Sequence, residues 1–355
     1  MIKQIDVLRV TAALCIVLIH VTSGQVLADP AIFGMNQLAR FASPLFVIVA
    51  GMVLQHIEMH RPSAGIASFY RRRFLRVLVP YVIWSLVYFL YNSRYHLYEL
   101  NLAAIGTALV REFPVQLMKG TAFVHLYFIL IMVQLYALFP LMKVWLERRP
   151  GWLLAVTGIS SFALNAGVYL HQIGVIHLPP AYIAYVAWFP VWWFYFAVGM
   201  AVMRYADRWQ ALVLRPRAYA AAAAVWLAVA AVYLYDGWHS GTYAANVGPM
   251  NMLYALASFI AGYQLVYGVR WKPFRWRTRL EAWIRWLAAA SFLIYLVHPL
   301  CLNVLVKISV IAGRGSVFYG TDGLALLYVC TVTLTLSAIG IIHVLPLSAW
   351  LGASK

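Results

Sequence analysis

Long apolar runs alternate with short polar breaks along most of the chain. A helix rising about 1.5 Å per residue needs roughly 17–25 apolar residues to cross a bilayer. Runs of that length predict spans at 5–24, 39–58, 76–93, 123–143, 152–170, 180–203, 218–235, 250–268, 287–309 and 322–350. The last is long enough to include a turn at Pro346. The fold class is therefore an all-α integral membrane protein, a bundle of about ten transmembrane helices forming a single polytopic domain over residues 1–355. The first run is of bilayer length and lacks a small-residue cleavage site, so it is expected to be a span and not a leader.

Composition supports the same class. Of 355 residues, 64% are hydrophobic and 10% charged, too few polar side chains to coat a water-soluble globule. The 14 Trp and 23 Tyr suit two membrane interfaces. Cys15, Cys301 and Cys330 lie in apolar runs without metal or CxxC spacing and are expected to pack as small hydrophobes.

A net charge of +17 raises the question of nucleic acid. Its distribution excludes that reading. With the N-terminus inside, 21 of the 27 Lys and Arg fall on one side; Arg40, Arg94, Arg111, Lys119, Lys307 and Arg314 are the 6 on the other. Such a bias predicts that both termini are cytoplasmic. The stretch WKPFRWRTRLEAWIRW, 271–286, is expected to lie along the inner membrane surface, with phosphate binding as the alternative. Residues 94–121 form the longest outer connection, with room to fold back onto the protein.

Polar residues inside spans then stand out. Arg9 and His20 are eleven residues apart in LRVTAALCIVLIH, close to three turns, so they share a face about 16 Å apart along the axis. A polar face on a span points into the bundle; spacing alone leaves open whether His20 is functional or a packed, hydrogen-bonded histidine. In FYRRRFLRVLVPY, Arg73 and Arg76 are helical neighbours. Arg71 and Arg72 fit a topological role, whereas Arg76, nearest the apolar run, needs a partner such as phosphate. His125 and Tyr127 open the fourth span, and Ser291, Tyr295 and His298 share one face of the ninth. Three histidines on polar stripes make a common interior site plausible.

Together these stretches resemble the acyltransferase-3 family of bacterial envelope O-acyltransferases, over nearly the whole chain. The family's basic-x10-His signature is matched by Arg9 and His20, its RxxR element by Arg73 and Arg76, and its HLWF element by HLYF at 125–128. Its SxxxYxxH element is matched by Ser291, Tyr295 and His298, and its helix-break pattern FFxxSGY by PLFVIVAGMVL, 44–54. Ala50 stands where the pattern has Ser, and Tyr127 where it has Trp. The closest likeness is to stand-alone enterobacterial-type transferases without a fused hydrolase-like domain.

The resemblance implies a cytosolic acyl-CoA donor, most often acetyl-CoA, an envelope-glycan or lipid-linked sugar hydroxyl as acceptor, and no metal. It implies a multi-pass enzyme of the bacterial inner membrane, with membrane lipids and these substrates as its partners and no nucleic acid. A sugar hydroxyl is a poor nucleophile and needs a base, so His20 is the expected base, with an acyl-histidine intermediate as the variant. Arg73 and Arg76 are then expected to grip CoA phosphates, and Arg9 to do likewise or stabilise developing charge. Tyr295 and His298 would orient the acceptor or complete the carbonyl pocket, with His125, Tyr127 and Ser291 contacting substrate. The competing classes are a glycan or acyl-unit transporter or flippase, and a sensor derived from such an enzyme. The missing repeat of Gly/Pro-broken helices argues against transport.

Overall fold

A central helix, α1 (Ile2–Thr22), organises the bundle. It packs against α2 (Pro30–Ala39), α3 (Ala42–His60), α12 (Pro249–Gly268), α13 (Arg277–Ile311) and α14 (Gly320–Val344). The structure, a computed structural model, describes residues 2–93, 101–179, 187–244, 247–268, 277–346 and 348–353. Among the described residues every regular element is helical. The others are α4 (Ile66–Asn92), α5 (Leu102–Arg111), α6 (Phe113–Lys119), α7 (Tyr127–Arg148), α8 (Pro150–Gln172), α9 (Phe189–Arg204), α10 (Ala206–Val213) and α11 (Pro216–Ser240).

Local chemistry explains several boundaries. Asp29 caps α2 by accepting from the Ala31 N–H at 2.6 Å, and Pro30 takes the first helical position, where its missing N–H costs nothing. Asn101 caps α5 in the same way through Ala104. Helix α14 stops at Val344, just before Pro346, so the long final run is a helix followed by a turn.

Among the described residues, eight helical segments are long and apolar enough to cross a membrane: Gln4–Gln25, Pro30–His60, Ile66–Asn92, Tyr127–Arg148, Pro150–Gln172, Pro216–Ser240, Thr278–Ile311 and Gly320–Val344. The chain is thus an all-helical, multi-pass membrane protein, and the expected count of ten is not reached on these criteria. Two expected spans fall short for physical reasons. The one expected at 180–203 begins at residues outside those described, and its helix α9 has only 16 residues. The other, α12, is diluted by polar residues that bond inside the bundle. Asn251 donates to Tyr233 Oη, Ser258 accepts from Trp226 Nε1, and Gln264 donates to the Val213 and Ala218 carbonyls. Lipid would face the exposed apolar side chains of α11 and α14, such as Val225, Leu227, Val232 and Ile341.

Other expectations shift. Helix α4 begins ten residues before the predicted span, so Arg71 to Arg76 lie on it. His125 sits in the turn before α7 and not on the helix. Residues 271–276 lie outside those described, but from Arg277 onward the Trp/Arg stretch forms the first turns of α13 and not a separate surface segment. The connection 94–121 does fold back where it is described, as α5 and α6, and Tyr81 Oη donates to the Leu117 carbonyl. The expected break at 44–54 is absent, because α3 runs unbroken from Ala42 to His60.

Gly51 serves packing instead. A methyl group at Gly51 would strike the Phe196 carbonyl of α9, and one at Gly199 would strike the Ile48 carbonyl of α3. The two glycines let these backbones touch, the usual role of small residues between membrane helices. The contact fixes α3 and α9 as one rigid slab beside α1 and α7.

Candidate active site

Helices α1 and α13 run side by side, and their pairing brings distant polar residues together. At one level, Arg9 Nη2 donates to Ser291 Oγ at 3.0 Å, and Ser291 Oγ donates to the Ala288 carbonyl at 2.8 Å. Ser291 is buried, so its oxygen holds the guanidinium inside the bundle. Arg9 also lies within electrostatic reach of Asp6, one turn away, and of Tyr136 on α7. Tyr136 is within reach of Arg73 as well. One phenol therefore lies within electrostatic reach of two guanidinium groups from different helices. Arg73 is half-buried and rests over the Phe69 ring at 6.0 Å. Arg76 is exposed; the RxxR pair splits into an inward and an outward residue.

At the second level three imidazoles converge. The His20 ring centroid is 5.1 Å from that of His298 and 6.5 Å from that of His125; His125 and His298 are 6.0 Å apart. Tyr295 packs at 5.1 Å from His125, and its hydroxyl donates to the His125 carbonyl. That bond ties the turn before α7 to α13 and holds His125 in the cluster. Phe123 and Tyr88 close over His125 at 5.7 and 5.2 Å.

The hydrogen bonding of this cluster is incomplete. His298 Nδ1 faces the Ile294 carbonyl at 2.8 Å, which fixes the proton on Nδ1 and leaves Nε2 an acceptor in the neutral ring. That Nε2, and both nitrogens of His125, are buried without a hydrogen-bond partner. The Leu296 carbonyl lies near His125 but lacks the geometry of a bond to it, and instead accepts from Tyr88 Oη at 2.7 Å. Buried polar atoms are nearly always satisfied, so orphans in one place mark a site for water or substrate. His20 is surrounded by protein yet keeps part of its surface accessible, as expected of a side chain lining an internal space.

Pro299 follows His298 and cannot donate to the carbonyl one turn back. The Tyr88 hydroxyl repairs the adjoining rung: it donates to the Leu296 carbonyl and accepts from the Leu300 N–H at 3.2 Å. A phenol inserted into the helical ladder thus sets the backbone that carries Tyr295 and His298.

The expected site residues therefore sort by position. His20, His125, Tyr295 and His298 form one cluster; Arg9 and Ser291 form a bonded pair one level away, with Arg73 nearby. Tyr127 lies within electrostatic reach of Tyr295, at the edge of the cluster. Sequence reasoning missed Tyr88 and Tyr136, two hydroxyls inside spans that composition alone hid among 23 tyrosines. It also took Arg40 as a topological charge, although Arg40 is buried. The available signal was Asn36, Gln37 and Arg40 at helical spacing in an otherwise apolar run. Among the described residues no group of three or more His, Cys, Asp or Glu is arranged to hold a metal ion. The surface groove at Arg149, Gly151, Trp152 and Ala155 shares no residue with the cluster.

No curated protein and no solved structure gives a significant match to this chain. The sequence profile of the acyltransferase-3 family, described as an acyltransferase domain, matches residues 2–344. That span is nearly the whole chain and contains both levels of the site, so the protein belongs to the acyltransferase-3 family.

Proposed function

We propose that the protein transfers an acyl group, acetyl foremost, from cytosolic acyl-CoA to a hydroxyl of a cell-envelope glycan or lipid-linked sugar, with His20 as the general base. The observation that carries this reading is the histidine cluster with its unsatisfied nitrogens, one level away from the Arg9–Ser291 pair. The excess of Lys and Arg beside the N-terminus favours cytoplasmic termini in the bacterial inner membrane. Arg9 and Arg73 then open toward the cytosol, where the CoA phosphates are, with Arg76 as an outer contact at the mouth. His20 lies in the far half of its span.

The chemistry follows from that layout. The acceptor hydroxyl gives its proton to His20 as its oxygen attacks the thioester carbonyl carbon. The tetrahedral intermediate collapses, the C–S bond breaks, and the CoA thiolate takes the proton from His20, which returns to the neutral base. The products are an ester and free CoA. General-base assistance of this kind contributes about 10²–10⁴-fold. His298 Nε2 and the His125 ring supply hydrogen bonds that orient the acceptor, with Tyr295 holding His125 in place and Tyr127 at the edge of the pocket. Ser291 fixes Arg9.

The test uses proteoliposomes with radiolabelled acetyl-CoA offered on one face and total envelope extract as acceptor on the other. Label in a base-labile ester on glycan, with stoichiometric release of CoA, is the expected result. Movement of unmodified glycan without label would establish the transporter reading instead.

A further inference from the structure

We propose that Arg40 is a catalytic residue of the transfer: its guanidinium holds the negative charge that forms on the thioester carbonyl oxygen when the acceptor attacks. The inference rests on the acyl-transfer reading above.

Arg40 follows α2 at the far end of the bundle from Arg9, and it is 5% exposed. A charge that serves only to set topology sits in the interfacial water; this one does not. Its Nε donates to Asn36 Oδ1 at 3.0 Å. Asn36 Nδ2 in turn donates to the Ile19 carbonyl at 3.1 Å and to Thr22 Oγ1 at 2.8 Å. Arg40 is thus tied through one asparagine to the turn of α1 that carries His20. Asn36 Oδ1 also accepts from Gln37 Nε2 at 3.0 Å, and Gln37 Oε1 accepts from Tyr233 Oη at 3.1 Å. The Nε bond fixes the plane of the guanidinium, and the network behind it fixes Asn36. Two residues of the expected site, His20 on α1 and Tyr127 on α7, lie within electrostatic reach of this cation. Its Asn36 anchor meets α1 at Ile19 and Thr22, on either side of His20, whereas Arg9 and Ser291 meet nearer the start of that helix.

The reaction needs a group there. When the acceptor oxygen bonds to the carbonyl carbon, the C=O π electrons move onto oxygen, and the proton of the hydroxyl passes to His20. The resulting oxyanion loses its charge again when the C–S bond breaks and the electron pair leaves with CoA. A fixed cation in a water-poor chamber stabilises that oxyanion more than the neutral thioester, which is what accelerates the step. Arg40 is permanently charged and held in orientation before substrate arrives.

The test measures steady-state transfer from acetyl-CoA to envelope extract by wild type, Arg40→Gln and Arg40→Lys. Loss of one oxyanion-stabilising group costs about 10²–10³-fold in kcat. Arg40→Gln is expected to show that loss with KM for acetyl-CoA nearly unchanged, and Arg40→Lys to recover part of it, because it keeps the charge without the planar fork. Arg40→Gln that stays monodisperse and turns over at the wild-type kcat overturns the proposal, as does a defect confined to KM. If Arg40→Gln does not fold, Arg40→Lys with wild-type kcat overturns it equally. A wild-type protein that transfers no label fails the acyl-transfer reading itself; active wild type with unaffected Arg40 variants fails this inference alone.

Discussion

Replacing Tyr88 by Phe removes one oxygen atom and tests how α13 is held at the site. The hydroxyl makes two bonds, to the Leu296 carbonyl at 2.7 Å and from the Leu300 N–H at 3.2 Å. Tyr88 is fully buried, so water cannot replace it without opening the bundle. Each bond contributes a net of about 0.5–1.5 kcal/mol, and a buried backbone group left unsatisfied costs about 1–3 kcal/mol. With two groups affected, Tyr88→Phe is expected to destabilise the protein by about 2–3 kcal/mol. Leu296 lies only two positions before His298, so relaxation of this rung displaces the imidazole that neighbours His20. Because 1.4 kcal/mol corresponds to tenfold in rate, a loss of about 1–3 kcal/mol in positioning lowers kcat by about 5- to 150-fold. Thermal unfolding in detergent and steady-state transfer from acetyl-CoA measure the two effects. A Tyr88→Phe protein that melts with wild type and keeps its kcat would refute the inserted-hydroxyl account of α13.

Two further substitutions probe other parts of the structure. Gly199→Ala forces α3 and α9 apart, and overpacking of this kind costs about 1–3 kcal/mol; a lowered Tm in detergent is expected, and an unchanged Tm would contradict the close-contact geometry. Ser291→Ala removes the oxygen that accepts from Arg9, where a hydrogen bond to a charged group contributes about 1.5–3 kcal/mol. A double-mutant cycle with Arg9→Lys should return coupling of about that size in transfer rate, and strict additivity would dissolve the pair.

Much of this arrangement was legible because membrane burial simplifies the code. A polar side chain in an apolar run has few reasons to be there, and so Arg9, His20, Ser291, Tyr295 and His298 were each visible by spacing. Their partners were not. That Arg9 meets Ser291 across 282 positions follows from helix packing, which one sequence does not encode locally. Arg73 and Arg76 were expected as helical neighbours and both lie on α4, but the spacing did not tell that Arg73 is half-buried and Arg76 exposed. The span count suffered where polarity was internally satisfied. Asn251 and Gln264 lower the hydropathy of α12, yet both are buried and hydrogen-bonded. Arg40 was hidden by the opposite error: at the start of the run expected at 39–58 it was counted as a topological charge, whereas it follows α2 and is buried.

The central claim is that His20 takes the acceptor's proton. Its most direct test compares His20→Ala with wild type in proteoliposomes, measuring both acetyl-CoA binding and ester formation. Binding should persist while transfer falls by about 10²–10⁴-fold. Transfer at the wild-type rate by a folded, donor-binding His20→Ala protein would contradict the account.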